Sequence, residues 1–158
     1  MLHDIVVDTN VLMHCTDSRE SRQHASVELL RRLLASTTVL CVDVGFDLDS
    51  ARNQSHIGHE YLKHLRFGSL GMIVVSQLAQ RKRIRFLPKR PSDVAARRKI
   101  NRLITNRIDR IFLGVATNSE SSILASHDHQ DFPTGKRTAI RAELGVEVIE
   151  ADECCSKF

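Results

Sequence analysis

The chain has 158 residues, a formal net charge of +4, 42% hydrophobic residues and 27% charged residues. That is the composition of one folded domain with room for a core, and no apolar run approaches the ~20 residues of a bilayer span. Asp4 and Asp8 interrupt the first apolar stretch, which argues against a secretion signal and makes the cytoplasm the default location. Cys15, Cys41, Cys154 and Cys155 form no C-x-x-C pair, so reduced thiols are expected rather than a zinc ribbon or a redox motif.

His3–Asp8 reads as a short buried strand, and Thr9–Cys15 as the opening of a helix or turn. Ser18–Ser36 has the paired 3.6-residue stripe of a helix in Ala25, Ser26, Leu29, Leu30, Leu33 and Leu34. Thr38–Val44 is rich in β-branched residues and predicts a second strand. A polar loop, 45–55, leads to two helices over 56–65 and 70–80. Residues 81–91 mix cations with two prolines and predict a loop with at most a short strand. Ser92 is expected to cap a helix to about Ile104, with Ala96, Ile100, Leu103 and Ile104 inward. Asn106 as N-cap with Asp109 three residues on is a capping-box pattern for the next helix. Ser122–Ser126 predicts a third strand, Lys136–Leu144 a helix ended by Gly145, and Val146–Ile149 a last strand. Alternating strands and helices predict an α/β fold, a three-layer α/β/α sandwich on a mostly parallel sheet. One domain is expected over 1–150, followed by a short tail over 151–158.

Charge is unevenly placed. Residues 81–110 hold twelve Lys and Arg against Asp93 and Asp109, a local +10 that leaves −6 for the rest. Such a block predicts a polyanion-binding face, with Arg81, Lys82, Arg83, Arg97, Arg98, Lys99 and Arg102 as the expected contacts. With no Trp and one Tyr, base stacking on an aromatic platform is not the expected mode.

In open α/β sheets ligands sit outside the carboxyl ends of the strands. Asp8 ends the first strand and Asp128 follows the third, and if the two run side by side their carboxylates face one crevice. Asp109, at a helix start, can join them. Converging carboxylates make a hard, oxygen-rich site suited to Mg²⁺ or Mn²⁺.

These residues resemble those of the PIN-domain ribonucleases. Ile5-Val6-Val7-Asp8-Thr9-Asn10-Val11-Leu12 is similar to the opening motif of that family. Asp109-Arg-Ile-Phe-Leu-Gly-Val-Ala116 resembles its third motif, and Ser122-Ser-Ile-Leu-Ala-Ser-His-Asp128 its fourth, with Asp131 as an auxiliary acid. The second motif, an acid on a helix after the second strand, is met most loosely. Ile57-Gly58-His59-Glu60-Tyr61-Leu62 carries it on Glu60, and Asp43, Asp47 and Asp49 are the alternatives. The resemblance implies a catalytic and metal-holding set of Asp8, Glu60, Asp109 and Asp128, with Asp131 beside them. It implies Mg²⁺ or Mn²⁺ as cofactor and Thr9, Asn10 and Ser126 as hydrogen-bonding supports. The implied activity is endonucleolytic hydrolysis of RNA, with DNA as a further substrate, to 5′-phosphate and 3′-hydroxyl ends. Implied settings are the toxin of a toxin–antitoxin or defence system, with an antitoxin or other protein partner, and RNA processing; the family often forms homodimers. The alternative is a catalytically weak PIN-like module that binds RNA or protein.

Two other patterns carry less. His59-Glu60 lacks the H-E-x-x-H spacing of a zinc protease, although His56, Glu60 and His64 share one helix face. His127 and His129 flank Asp128 and read as solvent-facing loop histidines.

Overall fold

The structure, a computed structural model, describes all of residues 1–158. Five strands, β1 (Asp4–Val7), β2 (Val39–Asp43), β3 (Ile84–Leu87), β4 (Ile123–Ala125) and β5 (Glu147–Ile149), form one sheet in the order β3-β2-β1-β4-β5. Every pairing is parallel. β1 is central and buried along its whole length, which is why its sequence is a near-continuous apolar run rather than an alternation.

The helices are α1 (Thr9–His14), α2 (Gln23–Ala35), α3 (His56–His64), α4 (Leu70–Gln80), α5 (Val94–Leu103), α6 (Arg107–Asn118), α7 (Thr134–Leu144) and α8 (Ala151–Cys155). Right-handed crossovers put α2 and α4 on one face, joined there by α8, and α5, α6 and α7 on the other. The expected three-layer α/β/α sandwich is therefore what forms. No helix is long and apolar enough to cross a membrane.

Several boundaries differ from the reading of the sequence, each for a local reason. α2 begins at Gln23 rather than Ser18, because the segment before it is a turn in which Asp17 and Glu20 accept bonds from Arg19 N (3.0 Å) and Arg22 N (3.2 Å). Asp93, not Ser92, caps α5, accepting from Ala95 N at 3.1 Å. The 81–91 segment contains edge strand β3, half exposed and punctuated by Arg85; charge on an edge discourages pairing with other chains. The tail is folded: Ala151, Cys154 and Cys155 of α8 are buried, and Arg32 donates to Cys155 O at 2.7 Å. All four cysteines are free and buried.

At the amino end of the sheet sits a buried carboxylate. Asp4 is 0% exposed and accepts from Ser121 N (2.8 Å), Glu120 N (3.0 Å) and Arg85 Nη1 (2.8 Å). Burial alone would raise its pKa, but the bonds from Ser121 and Glu120 hold it below the usual carboxylate value. It ties the α6–β4 turn, where Ser122 has φ 52°, to the central strand.

Candidate metal centre

The strand order reverses direction between β1 and β4, and such a switch point opens a crevice at the carboxyl ends. β1 and β4 run in register from Val6↔Leu124 to Val7↔Ala125, so Asp8 and the 126–131 loop leave the sheet side by side. The cleft there measures about 330 Å³ and is lined by Asp8, Glu60, Asp109, Asp128 and Asp131. All five acids expected from the sequence face this one space. Oxygens of Asp109, Asp128 and Asp131 lie within 4.8 Å of one another. Asp8 stands close enough to Asp109 and Asp128 to press on their charges.

Each carboxylate arrives by its own local device. Asp8 stands at the N-cap of α1 but makes no capping bond. Its Oδ2 accepts instead from Ser126 Oγ (2.7 Å) and Asn10 Nδ2 (3.1 Å). Ser126 Oγ also accepts from Asp128 N (3.1 Å), and Asn10 Oδ1 from His127 N (3.1 Å). Both side chains thus lock the β1 exit to the β4 exit. Asp109 lies in the first turn of α6, where Asn106 Oδ1 caps Ile108 N (2.9 Å) and Asp109 N (3.2 Å). The predicted reciprocal bond of a capping box is absent, and the Asp109 carboxyl turns into the cleft instead. Asp128 Oδ1 accepts from Gln130 N (2.8 Å) and Asp131 N (3.1 Å), an arrangement that folds Asp131 back beside it.

Glu60 lines the same cleft but sits outside the three-carboxylate cluster, with His64 Nε2 at 3.2 Å from its Oε2. Tyr61 fixes this face of α3: its buried hydroxyl donates to Val7 O at 2.5 Å, at the end of β1. The three alternatives to Glu60 lie elsewhere. Asp43 caps α3, accepting from Ser55 Oγ, His56 N and Ile57 N, and Asp47 and Asp49 share Arg52 in an exposed turn. His56, Glu60 and His64 do share a face, but they do not converge; His56 Nδ1 is 3.6 Å from Asp43.

Two supporting roles need correction. Thr9 does not hold Asp8 through its side chain: Thr9 Oγ1 is buried without a hydrogen-bond partner in the cleft wall. His127 is not a solvent-facing residue. It is 4% exposed and stacked on His14 at 5.0 Å, with their Nδ1 atoms 2.7 Å apart. Burial first, and the neighbouring His14 second, push its pKa down to about 4. His129 is exposed, as read, and meets Glu150.

The expected basic contacts divide. Arg81, Lys82 and Arg83 precede β3, at the end of the sheet opposite the cleft, roughly 15 Å away over one strand length. Arg83 is a structural cap there, donating to Thr38 O (3.1 Å) and to Leu34 O (3.2 Å) at the end of α2. On α5, Arg102 pairs with Glu143, Lys99 Nζ donates to Glu143 O (3.2 Å) and Arg98 is exposed. Arg97 alone of the seven turns toward the carboxyl end of the sheet.

Burial, then the Asp131 hydrogen bond and the charges of Asp8, Asp131 and Asp128, push the Asp109 pKa up to about 8. Burial, reinforced by Asp128, raises Asp8 to about 6 against the pull of Ser126. Raised carboxyl values mean that the folded chain holds protons which the unfolded chain releases near pH ~4. Stability is then lost as pH rises through the folded values. His127 works in the opposite direction up to its unfolded value near ~6.5, so the clean window lies above that. Without divalent cation, the melting temperature should fall between pH 6.5 and 8, where Asp109 ionises. Added Mg²⁺ or Mn²⁺ should raise it more at pH 8 than at 6.5. Thermal melts in EDTA check this, and a flat profile would contradict the crowding of these acids.

The donor set fits a hard divalent cation. All the candidate ligands are carboxylate oxygens, and the orphaned Thr9 hydroxyl lines the same wall. No family model matches the chain, and neither a curated protein nor a solved structure matches it.

Proposed function

We propose that the chain is a metal-dependent nuclease that hydrolyses RNA phosphodiester bonds, leaving 5′-phosphate and 3′-hydroxyl ends. The observation that carries this reading is the convergence of Asp8, Asp109, Asp128 and Asp131, drawn from three separated segments, on the switch-point crevice. The resemblance of those segments to PIN-domain motifs supplies the substrate class. Asp8, Asp109 and Asp128 would hold Mg²⁺ or Mn²⁺, with Asp131 beside them and Glu60 within the same cleft. The chemistry such an ion supplies is Lewis-acid activation of water and neutralisation of phosphoryl charge. Ser126 and Asn10 orient Asp8 through Oδ2, and Ser126 couples it to the Asp128 loop. Support of this kind typically changes metal affinity or activity by about 10–100-fold. Because the ion would itself lower the pKa of its bound water, no side-chain base is called for; His64, the exposed histidine of the cleft, faces Glu60.

A catalytically weak binding module is the rival reading, favoured by one observation: Glu60 is paired with His64 rather than joined to the cluster. Incubation of labelled single-stranded RNA and DNA with Mn²⁺, Mg²⁺ or EDTA separates the two. The nuclease reading expects metal-dependent cleavage with 5′-phosphate ends. Salt-sensitive RNA binding without cleavage in any metal would favour the module.

A further inference from the structure

A second pocket, of about 220 Å³, lies on the other side of the first turn of α6. Lys89, Arg90, Arg97, Arg107 and Arg110 line it, and no carboxylate does. Along that turn Asp109 faces the acidic cleft, whereas Arg107 and Arg110 face this pocket. α3 spans both spaces: His56 lines the basic pocket, and Glu60, one turn on, lines the cleft. One turn of helix is about 6 Å for four residues, comparable with the spacing of neighbouring phosphates along an extended strand.

The pocket is built rather than incidental. Several arginines elsewhere are neutralised: Arg22 by Glu150, Arg32 by Glu28, Arg85 by Asp4 and Arg102 by Glu143. None of the five pocket cations takes part in an ion pair. Arg97 Nε is moreover buried without a hydrogen-bond partner, which leaves a donor that an anion would satisfy. The loop that carries Lys89 and Arg90 is clamped to α6. Asn118 Nδ2 donates to Pro88 O (2.8 Å) and Arg90 O (3.0 Å). Gly114 admits the Lys89 carbonyl, which a Cβ would meet at 2.1 Å. Arg110 is held by Ile104 O and Asn101 O (3.1 Å). Like charges gathered in this way repel, and a bound anion would relieve that repulsion.

We propose that this pocket is a phosphate-binding subsite, taking a backbone phosphate of the strand next to the one at the acidic cleft. The strand assignment rests on the nuclease reading; the anion site itself does not. Lys89 and Arg107 make no side-chain hydrogen bond, so Lys89→Gln/Arg107→Gln should fold normally, with an unchanged melting temperature as the control. Fluorescence anisotropy of a labelled single-stranded RNA, in EDTA to prevent cleavage, is read across a salt series. The pocket variant should bind at least ~10-fold more weakly at low salt, its log–log salt slope smaller by about 1.4, as two lost single-strand contacts require. Arg81→Gln/Lys82→Gln, at the far end of the sheet, should bind as the unaltered protein does. Equal binding by the pocket variant, or no RNA binding by the unaltered protein, overturns the proposal. Displacement of the RNA by micromolar inorganic phosphate would overturn the strand assignment in favour of a small phosphate ligand. An unaltered protein that binds RNA through the pocket but never cleaves it in Mn²⁺ would sink the nuclease reading and leave the pocket standing.

Discussion

Asp109→Asn should abolish cleavage while making the metal-free protein more stable than the unaltered chain. The two effects come from one cause. Asp109 is 7% exposed and crowded by Asp8, Asp128 and Asp131, so its ionised form is disfavoured unless a cation compensates it. An amide of the same shape removes the repulsion and can still donate to Asp131. It also removes one carboxylate oxygen from the proposed metal-holding set. The expected loss is roughly 10²–10³-fold or more in turnover, the scale of deleting one group that stabilises developing charge. In EDTA at pH 8 the variant should melt higher than the unaltered protein, and its stability should no longer fall between pH 6.5 and 8. A variant that is both less stable and equally dependent on pH would show that Asp109 is a structural residue.

Asp4→Ala is expected to have the largest effect on stability, and none that is local to the cleft. It strips two backbone N–H groups, Glu120 N and Ser121 N, and the Arg85 guanidinium of their shared acceptor. Arg85 is exposed and keeps water as a partner, but each backbone donor left without its acceptor costs about 1–3 kcal/mol, and two such losses are a large part of the ~5–15 kcal/mol that holds a typical domain together. Urea unfolding should show the midpoint falling with little change in slope. A loss under ~1 kcal/mol would mean that water replaces the carboxylate and that the pair is no more than a surface contact.

The site was legible where local chemistry marks it. Asp8 breaks an apolar strand at its carboxyl end, and Asp128 follows another strand in the same way, so topology alone brings them together. Asp109 was found through its place in a capping pattern, although its carboxyl does something else there. Glu60 was the loosest assignment, and the structure agrees in part: the residue reaches the cleft but not the cluster. The basic pocket was not legible as such. Its cations come from the β3–α5 loop, α5 and α6, and only the clamping of that loop by Gly114 and Asn118 collects them. Counting Lys and Arg over 81–110 located the charge but could not separate Arg83, consumed as a helix cap, from Lys89 and Arg107. The His14–His127 stack joins residues 113 apart in the chain, with no periodic signal in either segment. α8 is too short, at five residues, for helical periodicity to register. β3 was hidden by its brevity and by the prolines after it.

Cleavage by Asp8→Asn tests the metal-nuclease assignment most directly. Labelled single-stranded RNA is incubated in Mn²⁺ with the unaltered protein, with Asp8→Asn of matched melting temperature, and with the unaltered protein in EDTA. Cleavage to 5′-phosphate and 3′-hydroxyl ends is expected in the first reaction alone. Cleavage that persists in EDTA, or in Asp8→Asn at the unaltered rate, would contradict it.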